Sequence, residues 1–237
     1  MTTGPKQPYV PPPPKTLFPL VRHLSFFMTP LLAKTPISAN QTTTISMLSG
    51  LGCAWAMTRG SWAMETAGGV MLVLCYILDN CDGEIARIKD QCSTFGMHYD
   101  SFVDFIVHVG FFAGLGVGVA GSTGQEAWLW MGMAAAAGGT VNYVISLFFA
   151  AKTRRKHEDA GDYDPTGRLA AEKPVTPEKW QEWAVFILRE LSRADFCFIV
   201  LGLALFDLTW VLLPAGAVGA QVYWAALFIR NVNEFHV

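Results

Sequence analysis

Four aspartates carry the chemistry legible in this chain. From Asp79 to Asp104 the sequence reads Asp79-x2-Asp82-Gly83-x2-Ala86-Arg87-x8-Gly96-x3-Asp100-x3-Asp104. On helices, Asp79, Asp82 and Ala86 share one face, and Asp100 and Asp104, four apart, share another. Gly83 and Ala86 are small enough to let a ligand or a second helix approach closely. The connection between the two acidic runs is short, so an antiparallel helix pair brings all four carboxylates together. In apolar sequence such a cluster is costly. One mid-bilayer Asp costs about 2.5–3.5 kcal/mol and four cost roughly 10 kcal/mol, before mutual repulsion is counted. A divalent cation relieves both penalties. Oxygen-only ligands select a hard ion, Mg2+ or Mn2+, and four carboxylates have room for two ions. Paired cations suit displacement at phosphorus, clamping a diphosphate and stabilising the entering and leaving oxygens. The plain alternative is that the acids solvate helix ends or pair with Arg87 and Lys89; it fits one aspartate better than four at this spacing.

The elements that must hold these residues are membrane helices. The chain has 237 residues, of which 52% are hydrophobic and only 15% charged, too few to cover a water-facing globule. Mean hydropathy is +0.33. A net charge of −2 carries no basic excess that would suit nucleic acid. Six apolar runs are long enough to span a bilayer: about Thr42 to Thr58, Trp62 to Ile88, Phe95 to Ala120, Glu126 to Ala151, Asp195 to Leu213, and Ala215 to Ile229. None alternates as a strand does, so the runs predict an all-α integral membrane protein, a six-transmembrane-helix bundle. Lys34, Arg87, Lys89, Lys152, Arg154, Arg155, Lys156, Arg193 and Arg230 fall on one side of the bundle, and only Arg59 on the other. The positive-inside rule then puts both termini, and the acidic cluster, on the cytoplasmic side.

The organisation expected from these runs has three parts. Residues 1–14, with Pro5, Pro8 and Pro11 to Pro14, form a disordered or extended tail without the apolar stretch of a secretion signal. Residues 15–41 form a juxtamembrane segment, in which Lys15 to Lys34 mixes apolar and basic positions as an amphipathic interfacial helix does. Residues 42–237 form the six-helix catalytic domain. Within it, Lys152 to Glu178 is polar, and an amphipathic piece follows from about Trp180 to Leu191. The five cysteines match no zinc spacing and read as small buried hydrophobes.

The acidic pattern resembles the signature of the CDP-alcohol phosphotransferases (CDP-alcohol phosphatidyltransferases) at every defined position. The six-helix plan and the amphipathic segment before it extend the resemblance over most of the chain. The resemblance implies a homodimer using divalent metal at the cytoplasmic face, with Asp79, Asp82, Asp100 and Asp104 as ligands. It also implies that Asp104 is the general base for the acceptor hydroxyl, a role a carboxylate beside a metal can fill. Gly83, Ala86 and Gly96 would border the cytidine pocket, and Arg87 would contact phosphate or hold the acidic cluster in place. Ser38-Ala39-Asn40-Gln41-Thr42-Thr43 resembles the segment that opens the first span in relatives, where proline precedes the asparagine; here Ala39 takes that place. Asn40 and Thr43 are candidates for nucleotide contact, with helix capping as the alternative.

An enzyme of phospholipid biosynthesis is the leading reading. CDP-diacylglycerol would donate its phosphatidyl group to a polar alcohol and release CMP, the acyl chains remaining in membrane lipid. The runner-up is a relative using a soluble CDP-polyol donor with a polyol-phosphate or lipid acceptor. Lys152, Arg154, Arg155 and Arg193 would suit a phosphorylated acceptor such as inositol phosphate or glycerol phosphate, or else set topology and meet anionic lipid. His98 and His108 flank the acids; a hydrogen-bonded histidine is the simpler reading of His108. A cation transporter is the distant alternative, and it leaves the fixed offsets of Gly83, Ala86, Arg87 and Gly96 without a purpose. An intramembrane prenyltransferase would carry its acidic motifs far apart, not within one helical hairpin.

Overall fold

The computed structural model describes residues 9, 11, 13, 14, 17–160 and 195–235. Among these the chain is helical and contains no strand. The helices are α1 (Leu20–Ala33), α2 (Ala39–Met57), α3 (Trp62–Ile88), α4 (Thr94–Thr123), α5 (Glu126–Ala160), α6 (Phe196–Leu205) and α7 (Leu212–Phe235), with a 3-10 turn at Thr209–Val211 before α7. Among the described residues, four helical segments are long and apolar enough to cross a membrane: Trp62–Ile88, Thr94–Thr123, Glu126–Thr153 and Thr209–Ile229. These match the second, third, fourth and sixth expected spans, the second at both ends. The first corresponds to α2, whose 19 residues cover about 28 Å but include many hydroxyls. The fifth corresponds to α6.

The fifth span departs from expectation. It was expected to run to Leu213 and turn at Pro214, but α6 stops at Leu205. Asp207 adopts a left-handed φ of 59°. The Leu208 N–H closes back on the Leu203 carbonyl at 2.8 Å, as in a helix C-cap. The chain therefore turns at Phe206 to Leu208, and Pro214 sits in the first turn of α7, where a missing N–H costs nothing.

The packing explains how so polar an α2 can lie inside. Its Thr42, Thr43, Ser46 and Ser49 are all buried. Ser46 donates to the Cys75 carbonyl at 2.9 Å and Ser49 to the Met71 carbonyl at 2.7 Å, both on α3. In lipid, where apolar contact with a neighbour is no better than contact with acyl chains, such bonds hold helices together. Glycines then let α4 close on α2: a Cβ on Gly114 would collide with the Ala54 carbonyl, and one on Gly118 with the Met57 carbonyl. The core between α2, α3, α4 and α6 is filled by Met57, Leu72, Tyr76, Val107, Phe111, Leu115 and Val200. Cys53, Cys75, Cys81 and Cys197 are buried free thiols, as expected, and Cys92 is half-buried.

The helix α1 packs on α3 with an inverted face. Its buried stripe is Val21, Ser25 and Thr29, while Leu24, Phe27 and Leu31 are exposed. Asp195, fully buried at the start of α6, accepts from the N–H groups of Leu20 at 2.7 Å and Val21 at 2.9 Å, satisfying the first turn of α1. Thr29 donates to buried Glu84 of α3 at 2.6 Å. The tail 1–14 lies mostly outside the described residues, and the piece Trp180 to Leu191 lies wholly outside them.

Candidate functional site

The end of α3 and the start of α4 form the hairpin that the sequence requires. Lys89 ends α3, Asp90 turns in a left-handed conformation (φ 56°), and Ser93 caps α4 by accepting from the Gly96 N–H at 3.0 Å. Across this hairpin, carboxylate oxygens of Asp79, Asp82 and Asp100 lie within 4.8 Å of one another. Asp82 is buried, and Asp79 and Asp100 are half-buried. Thr43 of α2 donates to Asp82 Oδ2 at 2.5 Å, which fixes that carboxylate and leaves Oδ1 for another partner. Asp100 Oδ1 is buried with no hydrogen-bond partner among the described residues. A donor set of oxygens alone, from three acids with one buried oxygen unpaired, fits a hard divalent cation. Asp104 lies one turn farther along α4, exposed and beyond that 4.8 Å grouping, yet near enough for its charge to act on both Asp79 and Asp100.

His108 is hydrogen-bonded through both ring nitrogens. Its Nδ1 lies 2.7 Å from the Asp104 backbone carbonyl, which can only accept, so in the neutral ring Nε2 accepts from the Tyr76 hydroxyl at 2.9 Å. His98 is exposed.

The residues expected around the nucleotide gather beside the acids. Gly96 faces Asn40, whose Oδ1 would lie 3.2 Å from a Cβ placed there. Arg87 is exposed; its guanidinium reaches back over Gly83 and lies 5.4 Å from the centre of the Tyr9 ring. Ala86 packs against Ala39, Cys81 and Ile85. The capping alternative holds for neither Asn40 nor Thr43: Ser38 is the N-cap of α2, bonded reciprocally with Gln41. The substitution of Ala39 for proline also has a structural counterpart. The Ala39 N–H donates to Gln91 Oε1 at 2.9 Å, a bond proline could not make.

Several residues of this region make bonds that the sequence reading left out. Gln91 is one. Lys89 donates to the Thr35 carbonyl at 2.7 Å and the Ile37 carbonyl at 2.6 Å, tying the α1–α2 link to the hairpin. Thr44 meets the Tyr99 hydroxyl at 2.9 Å. Glu84 stands inside the acidic motif itself, but its partner Thr29 is 55 residues away and no local spacing announces it. Of the basic residues considered for the acceptor, Lys152 is exposed on the last part of α5. Arg154 and Arg155 lie in the same helix by their backbone, and Arg193 falls outside the described residues.

Residues 36–229 match the family model for CDP-alcohol phosphatidyltransferase, a span that contains all four aspartates and runs from just before α2 into α7. No curated protein matches the chain in a sequence comparison.

Proposed function

Because the chain belongs to the CDP-alcohol phosphatidyltransferase family, we propose that it moves a phosphatidyl group from CDP-diacylglycerol to a phosphorylated polyol and releases CMP. The observation that carries the reading is the meeting of Asp79, Asp82 and Asp100 across the α3–α4 hairpin, beside Asn40, Gly83 and Gly96. Mg2+ or Mn2+ would be held by those three carboxylates, with Asp104 at the edge, and when bound would neutralise the donor's diphosphate and the departing CMP.

The chain's own groups supply the rest. The acceptor hydroxyl attacks the phosphorus bearing the diacylglycerol, a new P–O bond forms, and the bond to the CMP oxygen breaks with its electron pair leaving on CMP. Asp104, exposed and close along α4, takes the hydroxyl proton. Thr43 keeps Asp82 oriented throughout. Gly83 and Gly96 leave room for the nucleotide, and Arg87 stands where it can meet a phosphate.

The remaining assignments belong to the same proposal. The helices α2 and α6 complete six spans, α1 lies along the cytoplasmic interface with its apolar stripe in lipid, and residues 42–237 make the catalytic domain. Both termini and the acids are cytoplasmic, and two chains pair as a homodimer. Lys152, Arg154, Arg155 and Arg193 receive the acceptor's phosphate. The test is CMP release from CDP-diacylglycerol by purified protein with Mg2+, against serine, glycerol 3-phosphate, inositol and inositol 1-phosphate. Turnover with a phosphorylated polyol is expected. Turnover only with a soluble CDP-polyol donor selects the runner-up, and no CMP release from any donor, with cation flux in liposomes, ends the transferase reading.

A further inference from the structure

A second cavity lies at the opposite end of the bundle from the four aspartates. It has a volume of about 430 Å³, within the range of roughly 300–1,000 Å³ usual for small-molecule sites. It opens where the α2–α3 turn, the end of α4, the start of α5 and the turn after α6 converge. Along α3, Glu65 is 14 residues from Asp79, about 21 Å by helical rise, so the two sites are separate.

The lining is chemically selective. Three indoles, Trp62, Trp128 and Trp210, surround two carboxylates, Glu65 and Asp207. Among the described residues no basic side chain lines the cavity. Arg59, on the neighbouring turn, lies over the Trp55 ring at 4.6 Å instead. The wall is also pinned. Trp62 Nε1 donates to the Leu205 carbonyl at 3.1 Å, and Thr209 donates to buried Glu65. Trp128 and Trp210 meet edge to face, with centroids 5.8 Å apart and planes at 69°, which makes an aromatic corner. An interfacial tryptophan belt accounts for indoles that face lipid. It does not account for a buried carboxylate, Glu65, sharing the same lining with a second, exposed acid, Asp207.

Uncompensated acids call for a cation, and indole faces favour a large, weakly hydrated one over a small metal ion. We infer that this cavity binds an alkylammonium group, with Glu65 and Asp207 supplying charge and the tryptophans supplying the cage. The group can come from a free soluble amine or from the headgroup of a lipid in the leaflet opposite the catalytic end.

The test is equilibrium binding of radiolabelled tetramethylammonium to the full chain in phosphatidylglycerol nanodiscs, which offer no competing ammonium. Saturable binding at one site per chain is expected, with no displacement by the neutral isostere neopentyl alcohol. Asp207→Asn and Trp210→Leu, each with unchanged melting temperature, should raise Kd about tenfold or more, the loss of one strong contact. Asp79→Asn, at the other end, should leave Kd unchanged. Hosts of phosphatidylcholine or phosphatidylethanolamine separate the sources: competition assigns a lipid headgroup, and its absence a soluble amine. Absence of saturable binding, equal displacement by Na+ or neopentyl alcohol, or loss of binding in Asp79→Asn would each overturn the inference.

Discussion

Among single residues, Asp104 and Thr43 make the sharpest contrast. Asp104, exposed one turn beyond Asp100, is the proposed base, so Asp104→Asn should reduce CMP release by about 100-fold to 10,000-fold, the usual worth of a general base, while donor binding survives. Retained turnover in that variant, measured beside CDP-diacylglycerol binding, removes the base role. Thr43 acts through Asp82. Thr43→Val keeps the shape and deletes the donor, and should raise the Mg2+ concentration for half-maximal activity about 10-fold to 100-fold, as removal of a ligand's supporting bond does elsewhere. Thr43→Ser should restore most of it; equal losses in both variants would mean that packing, not the hydroxyl, matters. The four aspartates were legible because acids in apolar sequence are conspicuous and helical spacing assigns their faces. The exposure of Asp104 was not: a four-residue step keeps the face but advances about 6 Å along the axis, and what covers a side chain there depends on where the facing helix ends.

At the level of helices, most hydrogen bonds that seat the elements join a side chain to a distant partner. Ser46 and Ser49 reach carbonyls of α3, Lys89 reaches the α1–α2 link, and Asp195 reaches the start of α1. No local pattern encodes such register, so the run from Thr42 to Thr58 reads simply as apolar, and the partners of its hydroxyls appear only in the fold. The α3 limits were readable because Gly60 and Ser61 precede it and Arg87 and Lys89 close it. The end of α6 was not, because an aspartate in a left-handed turn, Asp207, leaves a weaker trace than Pro214 farther on. The Thr29–Glu84 bond allows a direct test. Thr29→Val should destabilise the protein by about 1–3 kcal/mol, because a buried carboxylate loses its donor. A melting temperature equal to that of the parent would show that Glu84 finds another donor.

For the whole molecule, function rests on an asymmetry between ends. One end gathers acids beside glycines and basic residues. The other gathers tryptophans and two further acids. Removing divalent metal with EDTA should abolish transfer, and Mg2+ or Mn2+ should restore it; activity that persists in EDTA would take the three-acid site out of the reaction. Arg155→Ala or Arg193→Ala should raise the acceptor KM while leaving the donor KM nearly unchanged. Equal rises in both would assign these arginines to topology or lipid contact. The seat of α1 bears on how this architecture withstands handling. Polar clasps, Asp195 on its first amides and Glu84 on Thr29, grip that helix beside the inward-packed Val21, Met28 and Leu32, while Leu24, Phe27 and Leu31 turn outward. Micelles swap one hydrocarbon surrounding for another and leave the clasps alone. Short-chain alcohols, which compete for amides and carboxylates, should therefore loosen α1 more readily than a change of detergent.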